Sequence, residues 1–161
     1  MSWIPKDLYY PLLFGLMWIM ALVLIPKDKY KTLLFYGLVW GLFCSYLFIW
    51  ILASWLHLFE YLQAEPFKTL GINLWLGCAW IPAIMLFLYY LPLEKSWYAL
   101  PLYLVIFALA SASIEEVFHE AGLLKYHFWN PWFRFGTSLV WFWSAYKHYQ
   151  VEQKSSNRLS G

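Results

Sequence analysis

The run from Leu33 to Leu56, "LLFYGLVWGLFCSYLFIWILASWL", contains no charged side chain. About 20 mainly apolar residues are what a helix needs to cross the hydrocarbon of a bilayer. In that medium backbone N–H and C=O groups have no water to bond, so a crossing segment must satisfy them internally as a helix. Four further runs have the same character: Leu8–Ile25, Ile72–Leu91, Trp97–Ile114 and Trp132–Tyr146, the last being the shortest. The expected fold is therefore all-α, a polytopic membrane protein with five transmembrane helices. Residues 1–149 form one domain, and residues 150–161 form a polar tail that is expected to be disordered.

Composition agrees with this reading. Hydrophobic residues make up 63% of the chain and charged residues 12%, against about 25% charged in soluble domains. A soluble chain of this length keeps roughly a third of its unfolded surface in water, too much for so apolar a sequence. The net charge of +2, with scattered basic residues, excludes a nucleic-acid partner. After the first run comes "LIPKDKYK" and not a small-residue cleavage site, so that run is read as a retained span.

Basic residues orient the chain. Lys27, Lys29, Lys31, Lys95, Lys147, Lys154 and Arg158 fall on the side of the C-terminus. Only Lys6, Lys68, Lys125 and Arg134 fall on the other. Positive loops stay in the cytoplasm, so the N-terminus is expected outside and the C-terminus inside. The acidic bias is opposite. Asp7, Glu60, Glu65, Glu115, Glu116 and Glu120 lie on the outer side, together with His57, His119 and His127.

The stretch "SIEEVFHEAGLLKYHFWNP" (113–131) concentrates this chemistry directly after an uncharged run. Helix residues three or four apart share a face, which pairs Glu116 with His119, Glu115 with His119, and Glu116 with Glu120. His57 and Glu60, in "HLFE", have the same spacing at the end of the second span. Glu-x-x-His pairs on inward faces build metal sites in helix bundles, so His57, Glu60, Glu116 and His119 are the candidate ligands for a divalent metal. His57, Glu60, Glu115, Glu116, His119, Glu120 and His127 are the candidate lining of a polar pocket, with Glu116 the leading single residue. The bland alternative is that these are solvated helix ends, paired locally with Lys125 or Lys68. Gly122 is expected to end the fourth helix and Asn130-Pro131 to start the fifth. Gly37 and Gly41 form a Gly-x-x-x-Gly row suited to close helix packing. With "ALASAS" (108–113), that row predicts a close pair between the second and fourth spans or a homo-oligomer contact.

Glu115 or Glu116 followed by "GLLKYHFWN" (122–130) resembles a family of small five-helix membrane proteins of endospore-forming bacteria. The resemblance covers mainly the last third of the chain. It implies the bacterial cytoplasmic membrane and carries no activity. Two function classes follow from the residues. The first is a non-enzymatic membrane protein that binds, senses or moves a small ligand or ion at an outer polar site. The alternative is a metal-dependent membrane enzyme using the Glu/His cluster, with one carboxylate as general base.

Overall fold

The structure, a computed structural model, describes residues 5–62, 68–69, 72–92 and 97–159. Glu65, Glu94 and Lys95 lie outside the described residues. The chain is mostly helical. Helix α1 covers Tyr9–Leu24, α2 Lys27–Trp55, α3 Leu74–Tyr89, α4 Ala99–Glu120 and α5 Pro131–Leu159. Four short strands punctuate them: β1 (Phe59–Tyr61), β2 (Lys68–Thr69), β3 (Ile72–Asn73) and β4 (Leu124–Tyr126). β1 pairs antiparallel with β4, and β2 with β3.

Local chemistry sets the boundaries. Pro26 leaves Ile25 extended and stops α1. The Asn73 side chain accepts a bond from the Trp75 backbone N–H and caps α3. Gly122, at φ +71°, takes the left-handed turn that closes α4. The Asn130 side chain accepts from the Phe133 N–H, and Pro131 occupies the first position of α5, where no backbone donor is needed. Within α2, the segments Gly37–Cys44 and Trp50–Trp55 are wound as wide π turns. His57, at φ 51°, then breaks the chain away from the helix.

Two helices, α2 and α4, are long and apolar enough to cross a membrane by length and composition, at 29 and 22 residues. α1 and α3 are shorter apolar helices of 16 residues each. α3 is the central element: Ile84, Met85 and Phe87 are inaccessible to solvent. α1 and α2 pack against α3, and α4 packs chiefly against α5. Phe87, Tyr103, Phe107 and Phe142 interlock at the junction of the two groups.

Three expectations are corrected here. Gly37 and Gly41 face α3, not α4 or a second chain. A Cβ on Gly37 would meet the Ile81 carbonyl oxygen at 2.9 Å, and one on Gly41 would lie 2.7 Å from the Trp80 carbonyl carbon. The Gly37/Gly41 row therefore does not join the second and fourth spans, and the face offered for oligomer contact is covered within the chain. "HLFE" is not helical, so His57 and Glu60 do not share a helix face; Glu60 points outward from β1. α4 continues past the apolar run to Glu120 and is closed by Gly122, as its sequence indicates. Helix α5 runs through the segment expected to be a disordered tail, as far as Leu159.

The helices alternate in direction. The start of α1, the end of α2, the start of α3, the end of α4 and the start of α5 meet at one end. There the β1–β4 pair ties the ends of α2 and α4 together. Tyr10 of α1 donates to the Leu123 carbonyl at 3.1 Å and lies 3.3 Å from the Leu62 carbonyl. The far end is closed by Tyr36 donating to Glu152, and by Trp40 Nε1 donating to His148 Nδ1 at 2.9 Å.

Candidate functional site

Ser111 and Glu115 are four residues apart on α4, and both are buried. Arg134 and Ser138 are four apart on the facing side of α5. That spacing stacks each pair one turn above the other on its helix. The packing of α4 on α5 then closes the four side chains into one polar nest beneath the capped end. Arg134 Nε lies 2.8 Å from Glu115 Oε2, with the two side chains 13% and 6% exposed. The N–H itself is not directed at the carboxylate, so the contact is an ion pair without an aligned hydrogen bond. Arg134 Nη2 donates to Ser111 Oγ at 2.9 Å, and Ser111 and Ser138 share a bond of 3.2 Å.

Elements outside α4 and α5 complete the surroundings. Trp129, in the connection between them, donates its indole N–H to Glu115 Oε1 at 2.6 Å. The Arg134 guanidinium lies over the Trp80 ring at 5.5 Å, a cation–π contact. The Tyr61 and Tyr126 phenols face Glu115 from β1 and β4. Burial pushes both up from their ordinary range; the Glu115 charge adds to the shift and Arg134 opposes it. Both therefore remain protonated donors at neutral pH. Beside the nest is a cavity of about 20 Å³. It is lined by Arg134, Ser45, Ser111, Thr137 and Ser138, with aromatic walls that include Trp80 and Trp141. That is room for about one water-sized guest.

The residues singled out in the sequence divide among three places. Glu115 is in the nest. Glu116, His119 and Glu120 sit on the outer face of the last turns of α4, each offering one ligand atom, all within 4.8 Å of one another. There Tyr126 donates to Glu116 Oε2 at 3.2 Å and its ring stacks on His119 at 4.1 Å. His57, Glu60 and His127 line a separate open cleft of about 260 Å³ with Ser54 and Tyr61. Glu116 and His119 group with Glu120, while His57 and Glu60 line the separate cleft. Tyr61 is the link between two of the three places, since it lines the cleft and also faces Glu115 and Arg134.

Arg134 is the site residue that sequence reasoning misses, because its charge there counts only toward the orientation of the chain. The available signal is its position three residues inside a helix start, in an otherwise apolar segment, where an ionisable side chain needs a partner. Comparison with protein-family models, with curated proteins and with solved structures finds no match.

Proposed function

We propose that this chain is a five-span integral membrane protein of the bacterial cytoplasmic membrane. In this reading the Glu115–Arg134 nest is its working site, and it binds, senses or moves a small ligand or ion. The carrying observation is the ion pair itself. Two opposite charges are held away from water beside a cavity lined by hydroxyls. A buried pair contributes little net stability compared with apolar residues of similar volume. Ionisable groups at membrane depth are expensive and are found where ions or substrates are handled.

A membrane location is supported by the outward faces of three helices. Leu12, Leu16, Ile19 and Val23 of α1, Leu102, Ile106 and Leu109 of α4, and Val140 and Trp143 of α5 are all exposed. These form stripes at helical spacing that a soluble protein rarely leaves in water. With the positive-inside bias, the capped end faces outward, and the His57–Glu60–His127 cleft is the approach to the nest through Tyr61.

The test is thermal unfolding of detergent-purified protein against a panel of small ions and organic solutes. A ligand that binds only the folded state at 100 times its Kd stabilises by about 2.7 kcal/mol. At least one solute should raise the wild-type midpoint and leave the double variant Glu115→Gln/Arg134→Met unmoved. Identical responses of the two proteins across the panel would reduce the pair to a structural element.

The metal-dependent alternative has its own supporting observation, the convergence of Glu116, His119 and Glu120. Metal analysis of purified protein separates it: stoichiometric zinc, iron or manganese that disappears in His119→Ala would support it. Metal-free wild type that still binds a panel solute would dismiss it.

A further inference from the structure

We propose that the cavity beside Arg134 is a site for one small monatomic anion of the halide class. This deepens the reading of the nest as a binding site and depends on it.

Hydrogen-bond donors outnumber acceptors on the cavity wall. Two of the hydroxyls on the cavity wall are committed to the backbone: Ser45 donates to the Gly41 carbonyl and Thr137 to the Arg134 carbonyl. Ser111 and Ser138 hold two hydroxyl hydrogens but share only one bond, and the Ser111 oxygen already accepts from Arg134. One of those hydrogens therefore has no acceptor in the nest. The guanidinium also lines the cavity and brings only donors to it. Guanidinium is a donor only, and a hydroxyl supplies one hydrogen. The wall thus presents excess donors and positive charge, while no carboxylate among the described residues lines the cavity. A water there would bring two more hydrogens to a wall already short of acceptors. A halide brings none.

Size and surroundings narrow the class. About 20 Å³ is slightly more than one water requires and too little for a carboxylate or phosphate group. The remaining wall is apolar and aromatic, from Phe48, Ile49, Trp80, Trp141 and Phe142. Such a wall suits a weakly hydrated monovalent ion. Glu115 pairs with Arg134 without lining the cavity, and is an internal competitor for the same cation. Among the described residues, the titratable groups paired with the guanidinium or close enough to feel its charge are Glu115 from α4, Tyr61 from β1 and Tyr126 from β4. Of these, only Glu115 opposes an anion.

The experiment is bromide quenching of tryptophan fluorescence, using full-length protein in detergent and chloride-free gluconate buffer. Because Trp80 and Trp141 line the cavity, occupancy should give a saturable component above linear collisional quenching, and Trp141→Phe should diminish it. Glu115→Gln removes the competing charge and should tighten bromide binding about tenfold or more, the scale on which one neighbouring charge shifts ion binding. Ser138→Ala keeps every charge and should weaken binding about fivefold, the equivalent of one hydrogen bond. It serves as the second variant if Glu115→Gln does not fold. Arg134→Met should abolish the component. A strictly linear wild-type response, or a saturable one unchanged in both Glu115→Gln and Ser138→Ala, overturns the proposal. If bromide is silent while another panel solute protects wild type but not the double variant, the halide assignment falls and the binding-site reading stands. If both are silent, both fall.

Discussion

The Glu115–Arg134 pair makes a demanding prediction about stability. Replacing Glu115 by glutamine leaves the Arg134 guanidinium, 13% exposed, without its counter-charge. Removing one partner of a buried pair costs about 3–5 kcal/mol, because the other charge is then left in a low-dielectric site. Arg134→Met leaves the Glu115 carboxylate, 6% exposed, in the same position. It also removes the donor to Ser111, worth a further ~1 kcal/mol. The double variant removes both charges together, and the introduced amide oxygen can still accept from Trp129. Its expected loss is no more than about 1–2 kcal/mol, since uncharged replacements of a buried pair are often nearly neutral. The cycle should therefore show a coupling of roughly 3 kcal/mol or more, with the double variant more stable than either single one. Reversible unfolding in mixed detergent and SDS micelles, in halide-free buffer, measures all four proteins. Adding bromide should recover part of the Glu115→Gln loss, because the anion then supplies the missing charge. Additive losses, or single variants each costing under about 1 kcal/mol, would refute the argument that these charges are desolvated and depend on one another.

Two further outcomes follow from the packing and the orientation. Gly41→Ala places a methyl group 2.8 Å from the Ile81 Cα atom and against the Trp80 backbone. It should destabilise by about 1–3 kcal/mol, whereas Gly15→Ala meets nothing within 4 Å and should be neutral or gain up to ~1 kcal/mol; equal effects in the same unfolding assay would disprove the contact of α2 with α3. Single cysteines at Lys125 and His127, in a background lacking Cys44 and Cys78, should react with a membrane-impermeant maleimide added to intact cells, and one at Lys29 should not; the opposite pattern would invert the orientation.

The helices are legible because their signals are local. Asn130-Pro131 and Gly122 act on the backbone beside them, so the start of α5 and the end of α4 can be read directly. The end of the apolar run and the end of α4 are different boundaries. Hydropathy falls at Ile114, which marks a change in polarity, but nothing between Ser113 and Glu120 stops helix propagation. His57 shows where local reading fails: it breaks α2 with a left-handed conformation that a non-glycine residue rarely adopts. The row of Gly37 and Gly41 announces a close approach correctly but cannot name its partner, because small residues admit any backbone and α3 is the one the fold delivers.

The same distinction explains why Glu116 stands out in the sequence while Glu115 occupies the buried position. Spacing along one helix favours Glu116, which reaches both His119 and Glu120. Burial is decided by what covers the helix, and that cover comes from distant residues. Arg134 and Trp129 reach Glu115 only because the connection after α4 pairs with β1 and turns α5 back along α4. The carboxylate one position earlier therefore faces the nest, and its neighbour faces outward. Three carboxylates and an imidazole in one short run are thus two separate devices. One is an exposed Glu/His face on the last turns of α4. The other is a single buried acid whose partner lies beyond the next turn, where the spacing of charges within the run gives no indication of it.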